Sequence, residues 1–359
     1  REVYQVKKET ISSIYNPETE ERKIRLAQAS EDPNIKEYGA SVLRTLMRVS
    51  RSRQYALARP DSMDWEIGTM LTRQKDLQYP VQLVATQGNA YSYSAKAATI
   101  LFPGRAYYPH RTFEEAILSV VRGQVDAAVL PLENSTAGTV DDVYQLLQNT
   151  NLYITRSLNM TVKHCLLVKP GTKLSDIKTV SSHKQALAQC SSFIKDHNWE
   201  VVESLNTAFA AQDVAEGDGT MAAIATSDAA EAYGLTILEE NFSDANQNET
   251  RFVVVRRHLQ VDKEADTLSL LVRLPHSAGS LVQVMDLFAD HGINMTKIQS
   301  IPIPRNPWEY YFYIDCEANF GDETILNVLY QLQHESTELR LLGWYKQVTS
   351  EEGKAKTQA

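Results

Sequence analysis

Val81-Gln82-Leu83-Val84-Ala85, then Thr86-Gln87-Gly88-Asn89-Ala90-Tyr91-Ser92, then the small-residue run from Tyr93 to Leu101 decide the fold class. A short apolar run gives way, at a hydroxyl-rich turn holding one glycine, to apolar residues at helical spacing, so the stretch reads strand, loop, helix. The rhythm continues to residue 258. Strands are expected at Val81–Ala85, Ala127–Pro131, His164–Val168, Thr179–Ser181, Ala222–Ala225 and Phe252–Arg256. Amphipathic helices are expected between them, around Ser94–Leu101, Thr112–Arg122, Asp141–Gln148, Gln185–Asp196, Thr207–Ala215 and Asp228–Ala232. Strands alternating with helices imply a parallel sheet in an α/β architecture, as one large sheet or as two lobes.

Upstream, residues 1–59 read as all-helical. Asn16-Pro17 is a cap and first-turn pair. A second helix is expected from Tyr38 to Leu57, with Val42, Leu43, Leu46, Met47 and Val49 as its apolar stripe. Ser50 and Gln54 continue that stripe and need partners, most simply across a helix–helix contact. Arg1 falls inside an expected helix, so preceding chain is expected. Residues 60–80, from Pro60 to Pro80, read as a linker. Downstream of the charged stretch Asp262–Asp266 come a strand (Thr267–Leu274), a helix (Ser280–His291) stopped by Gly292, and two strands (Ile293–Ile301, Trp308–Glu317) joined by a turn at Pro304–Pro307. A helix (Glu323–His334) and a strand (Leu339–Gln347) follow. This βαββαβ order is ferredoxin-like. The polar tail, residues 349–359, is expected to be disordered.

With 359 residues the chain is long enough for two or three domains. A net charge of -9 without a basic run argues against nucleic acid as a partner, but leaves small anionic substrates open. Cys165, Cys190 and Cys316 are far apart, so no zinc or redox motif forms, and an odd number of thiols fits a reducing, cytoplasmic setting. No apolar run approaches the roughly 18 residues of a membrane span, so no membrane partner is expected. No signal peptide is visible.

Ligands of α/β sheets bind beyond the carboxyl ends of strands. The loop ending at Ser92 offers hydroxyls and backbone donors at a helix start, which suits an anion, although capping alone explains it. Glu133-Asn134-Ser135-Thr136-Ala137-Gly138-Thr139 carries more donors than capping needs, which marks a binding loop. His183, in Ser182-His183-Lys184-Gln185, is a base, a ligand or a cap, and a lone histidine is most often structural. Thr250-Arg251 sits where a loop becomes a strand. These loops hold no metal cluster, paired carboxylates, phosphate loop or nucleophile elbow. They describe a site for a small polar anion, used without metal or cofactor, and leave the reaction open.

Residues 81–258 resemble prephenate dehydratase through Glu133-Asn134-Ser135 with Gly138, Ser182-His183 with Gln185, Gln189 and Cys190, Tyr233-Gly234-Leu235, and Thr250-Arg251-Phe252. The resemblance implies two α/β lobes like those of type II periplasmic binding proteins, and decarboxylative dehydration of prephenate to phenylpyruvate in phenylalanine biosynthesis. It implies Thr250 as donor to the departing hydroxyl and Arg251 as a bidentate carboxylate clamp. Asn134, Ser182 and Thr207 would fix other oxygens, with Ser135, Ser92 and Phe252 completing the site. The loop at Gln87–Ser92 is shorter than the family's usual form and lacks its second glycine. Residues 265–348 resemble an ACT regulatory domain through Ala278-Gly279-Ser280-Leu281, Asn294-Met295-Thr296-Lys297-Ile298 and Trp308-Glu309-Tyr310. That implies allosteric L-phenylalanine at Ala278, Gly279, Ser280, Leu281 and Asn294, between subunits of a homodimer or homotetramer. Gln299-Ser300-Ile301-Pro302 departs from that family's pattern. Residues 1–59 resemble the C-terminal portion of an all-helical chorismate mutase, with Lys7, Glu20, Ser50 and Gln54 at functional positions. Asn16 and Thr19 replace an aspartate and an arginine there, so activity on chorismate is expected to be weak or absent. An arogenate dehydratase would share these motifs, and a non-catalytic amino-acid sensor would share the architecture but has no use for Thr250.

Overall fold

The computed structural model describes residues 14–61, 64–73, 80–245, 248–303 and 308–350. Lys7, the expected turn at 304–307 and the tail from 351 lie outside the described residues. Two compact units emerge, one within Arg1–Leu77 and Val261–Trp344, the other within Gln78–Gln260 and Tyr345–Ala359.

The first unit opens with helix α1 (Pro17–Gln28), capped by the Asn16 side chain accepting from the Thr19 N–H at 2.9 Å. A π-turn (Ile35–Gly39) leads into α2 (Ala40–Ala58). The stretch read as a linker holds a further helix, α3 (Glu66–Arg73), with Ile67 and Leu71 buried. Eight residues give too few turns for a periodic signal to stand out.

The second unit carries two sheets. The first is built from β1 (Leu83–Gln87), α4 (Tyr93–Leu101), β2 (Ala106–His110), α5 (Phe113–Val121), β3 (Ala127–Asn134), β4 (Gly138–Thr139), α6 (Asp141–Gln148) and β5 (Tyr153–Thr161). The chain then builds the second from β6 (Cys165–Val168), β7 (Thr179–Ser182), α7 (Lys184–Gln189), α8 (Ser191–Asp196), β8 (Glu200–Glu203), α9 (Thr207–Glu216), β9 (Met221–Ala225), α10 (Ser227–Tyr233) and β10 (Thr236–Glu240). It returns as β11 (Glu249–Arg256), which inserts antiparallel between β3 and β5. The sheets are therefore mixed, not parallel as expected. β1 runs parallel to β2 and β3, while β6 runs antiparallel to both β9 and β10. The two crossings between the sheets, after β5 and before β11, make two lobes of one unit.

The remainder of the first unit is β12 (Thr267–Arg273), α11 (Ser280–Asp290), β13 (Met295–Pro302), β14 (Tyr310–Glu317), α12 (Glu323–Glu335) and β15 (Glu338–Tyr345), in sheet order β13-β14-β12-β15. This is the expected ferredoxin-like arrangement. The last strand ends earlier than expected. Gln347–Thr349 form a separate strand, β16, paired parallel with β5 in the other unit's sheet, where Val348 packs on the core beside Leu158 and Phe252. A boundary at 348 and a tail from 349 do not describe this: the chain passes between units at Trp344–Tyr345.

Helix α2 docks on α11 and α12. Arg48 pairs with Asp286 and Asp290, and Arg59 with Glu323 and Asn327. The Tyr55 and Trp65 rings meet Tyr330 at 6.2 and 5.5 Å. The expected apolar stripe is not the buried one: Val42, Leu46 and Val49 are exposed, whereas Arg51, Gln54 and Tyr55 are buried. Ion pairs and rings contribute to this contact. Among the described residues no helix is long and apolar enough to cross a membrane.

Candidate functional site

A cavity of about 230 Å³ opens between the two lobes of the second unit. Phe113, Pro131, Val140, Val162, Leu205 and Phe252 form its apolar wall. Its polar wall comes from strand ends and helix starts: Ser92 before α4, Asn134 at the end of β3, Asn206 and Thr207 at the start of α9, and Thr250 on β11. His164, Gln185 and Gln189 from the second lobe also line it.

Three amides close a hydrogen-bonded ring on one side. Asn134 Nδ2 donates to Asn248 Oδ1 at 2.6 Å, Asn248 Nδ2 to Gln189 Oε1 at 3.0 Å, and Gln189 Nε2 to Asn134 Oδ1 at 3.0 Å. Asn134 Oδ1 also accepts from the Thr136 and Ala137 N–H groups, each at 3.0 Å, which fixes which end of its amide faces Thr250. Asn134 Nδ2 donates to Thr250 Oγ1 at 2.9 Å. The Thr250 hydroxyl is thus held as an acceptor, and among the described residues no acceptor takes its proton. That proton is free for a ligand.

His164 Nε2 lies 2.8 Å from Gln189 Oε1. Gln189 Oε1 can only accept, so the neutral imidazole carries its proton on Nε2. Burial lowers the His164 pKa, outweighing the Gln189 hydrogen bond, and burial likewise lowers that of His183. His183 caps α7 by accepting from the Gln185 N–H at 3.4 Å. Burial pushes the Cys165 thiol up to about 11 and that of Cys190 to about 12, which removes thiolate chemistry near neutral pH.

Of the residues expected at the site, Asn134, Thr207, Ser92, Thr250 and Phe252 line the cavity together. Three do not. Arg251 points to the other face of β11, its guanidinium donating to Glu133 Oε1 at 3.1 Å and to the Tyr345 hydroxyl at 2.6 Å. Successive strand residues face opposite sides, so Thr250 and Arg251 cannot both line one cavity from β11. Ser182 is fully buried and donates to the Ile224 carbonyl at 2.6 Å, a bond across the second sheet. Ser135 pairs with Glu249 through backbone and hydroxyl, anchoring the loop after β3 to β11. Gln189 and Gln185 were visible only as motif matches. Asn206 carried no signal of its own in the sequence, and Asn248 stood only in the amide-rich loop before Thr250. His164 read as the first residue of a strand; its burial beside Gln189 is a tertiary fact.

The chorismate-mutase-like positions sit in the first unit. Glu20 pairs with Arg51, whose Nε donates to Glu335 Oε1 at 2.9 Å on α12. The Arg51 guanidinium also lies 4.8 Å from the centre of the Tyr15 ring. Gln54 Nε2 donates to the Ser50 hydroxyl at 3.1 Å, so these two bond within α2 rather than across a helix pair. Of these positions, Glu20 is engaged through Arg51 in joining α2 to its neighbours, while Ser50 and Gln54 are engaged with each other. In the ferredoxin-like part, Ala278, Gly279 and Asn294 are exposed and Ser280 and Leu281 half-buried.

The prephenate dehydratase family model matches residues 84–260, and the ACT domain model residues 268–334. The bifunctional chorismate mutase/prephenate dehydratase of Enterobacter agglomerans is 38% identical over 237 residues, covering 65% of this chain. The chain spans 61% of that relative's length. The protein of the same description from Escherichia coli K12 is 33% identical over 292 residues, 77% of this chain and 76% of that one. The solved prephenate dehydratase of Arthrobacter aurescens in complex with L-Phe is similar at a TM-score of 0.68 and 31% identity, covering 73% of this chain and 89% of that one.

Proposed function

Since the chain belongs to the prephenate dehydratase family, we propose that it converts prephenate to phenylpyruvate in the cavity between the lobes of its second unit. The ring carboxylate leaves as carbon dioxide, its bonding pair enters the ring, and the ring hydroxyl departs as hydroxide that takes a proton to become water. Aromatisation supplies the driving force, so the protein need only hold the dianion and assist the leaving group. The observation that carries this reading is Thr250: its oxygen accepts from Asn134 while its own proton remains uncommitted at the cavity wall. A threonine hydroxyl is a weak acid, so it donates a hydrogen bond to the departing oxygen, and water supplies the proton. The apolar wall suits the ring. Thr207 offers a neutral contact to its oxygens, Asn134 holds Thr250 in place, and Ser92 and Phe252 line the cavity beside them.

Ser182, Ser135 and Arg251 act through the fold rather than on substrate. Gly279 with Ala278, Ser280, Leu281 and Asn294 is our candidate site for inhibitory L-phenylalanine, completed by a second subunit in a cytoplasmic homodimer or homotetramer. Activity on chorismate is weak or absent, because Glu20 is neutralised by Arg51. The test is turnover of prephenate, arogenate and chorismate by the purified chain, with and without L-phenylalanine. Faster turnover of arogenate than of prephenate would reassign the substrate. No turnover of either, with phenylalanine still bound, would favour a sensor.

A further inference from the structure

The cavity meets an anion without a cation. Among the described residues that line it there is no lysine or arginine. Burial lowers the pKa of both histidines on its wall. Negative charge must therefore be met by neutral donors and by the positive ends of helices. Two helices of nine and ten residues, α4 and α9, begin at this wall, capped by Ser92 and Asn206. The two caps are not equivalent. The Ser92 hydroxyl is fully committed, donating to the Gln87 carbonyl at 2.9 Å and accepting from the Ala95 N–H at 3.2 Å. Asn206 is committed at one end only. Its Oδ1 accepts from the Ala208 and Phe209 N–H groups, each at 2.9 Å, which fixes the amide's orientation. Its Nδ2 is buried without a hydrogen-bond partner, in a residue only 7% exposed. Buried amide donors are almost always paired, so an unpaired one in a residue that lines the cavity points to a partner there, water or ligand.

We infer that Asn206 is a substrate-positioning residue: one end of its amide starts α9, and the other donates to a carboxylate oxygen of the bound anion. Gly88 makes room for this. Its φ is +97°, and a Cβ there would lie 2.8 Å from Ser92 Cβ and 3.2 Å from Asn206 Nδ2. The glycine lets the two capped helix starts approach the same end of the cavity, where their dipoles reinforce the donor. The inference deepens the proposed reaction and rests on it for the identity of the anion.

Asn206 as a cap alone is the competing account, and one substitution separates the two. Aspartate caps a helix as well as asparagine, but leaves no donor on the cavity side and adds a negative charge. Asn206→Asp should keep the cap while its buried carboxylate lowers the thermal midpoint, raise the KM for prephenate by roughly 10- to 100-fold, and change kcat far less. Asn206→Ser, which caps through a short hydroxyl and lacks the amide, should raise KM in the same direction and guards against misfolding of the first variant. Calorimetric binding of phenylpyruvate reads the contact without turnover, and should weaken in both variants. If the parent binds phenylpyruvate but does not turn over prephenate, the reaction fails while the donor is still tested. Unchanged KM and unchanged phenylpyruvate affinity in both variants would overturn the inference, as would a parent that binds neither compound.

Discussion

Replacing Thr250 by valine removes one hydroxyl and keeps the β-branched shape. In the structure the residue is 8% exposed and its oxygen accepts a single 2.9 Å bond from Asn134 Nδ2. That nitrogen keeps Asn248 Oδ1 at 2.6 Å and the Glu249 carbonyl at 3.1 Å, so no donor is orphaned. The stability loss is then that of one neutral hydrogen bond, about 1 kcal/mol. The kinetic loss is larger. A positioned donor to developing negative charge contributes about 2.7–4 kcal/mol, or 10²–10³ in kcat. We expect Thr250→Val to lower kcat about 10²-fold or more with a much smaller change in KM. Thr250→Ser should restore most of the rate. The assay is phenylpyruvate formation from prephenate under saturating substrate, with urea unfolding as the stability control. A kcat for Thr250→Val within about threefold of the parent would refute the leaving-group role, whatever happened to KM.

Arg251→Lys keeps charge but not the fork that reaches both Glu133 and Tyr345, so about 1–3 kcal/mol of stability should be lost, read as a lower unfolding midpoint. A KM rise above tenfold without loss of stability would restore the substrate clamp expected from the sequence. Because burial lowers the folded-state pKa of His164, the unfolded chain binds more protons between that value and its ordinary value of about 6.5. Stability should therefore fall as pH drops through that window and level off below the folded pKa. His164→Gln should show a shallower loss in urea titrations between roughly pH 7.5 and 5, and an identical slope would refute this. At Gly279, φ is +86° with open space around a Cβ. Gly279→Val should therefore fold at a cost of about 1–2 kcal/mol, retain dehydratase activity and lose inhibition by phenylalanine. Equal inhibition in parent and variant would remove the assigned regulatory loop.

Local chemistry was readable in the residues. Asn16-Pro17 starts a helix where a cap and a first-turn proline say it must. The βαββαβ order stood in the alternation of residues 267–347. The excess of donors after β3 marked Asn134, and the motif ending in Phe252 marked Thr250. One placement was legible in advance: Thr250 and Arg251 are neighbours on a strand, so their opposite facing follows from the two-residue period alone. Other misses had no local signal. The residues of β2 are exposed or half-buried, with no apolar alternation to betray a strand.

Pairing between distant segments decided the rest. That β11 runs antiparallel between β3 and β5, and that β16 leaves the ferredoxin-like sheet to join β5, depends on which edges are open once the other strands have formed. The amide ring joins positions 134, 189 and 248, and His164 meets Gln189 across 25 residues. Side chains so far apart in the chain become partners only once the unit has folded. Sequence alone determined which residues could donate, accept or cap, because those capacities belong to each side chain. Only the tertiary structure decided which were already satisfied and which, like the Thr250 proton and the Asn206 amide, were left without a partner among the described residues. Satisfaction is a property of neighbours in space, and a burial that removes water leaves each polar group only the partners the fold has brought within reach.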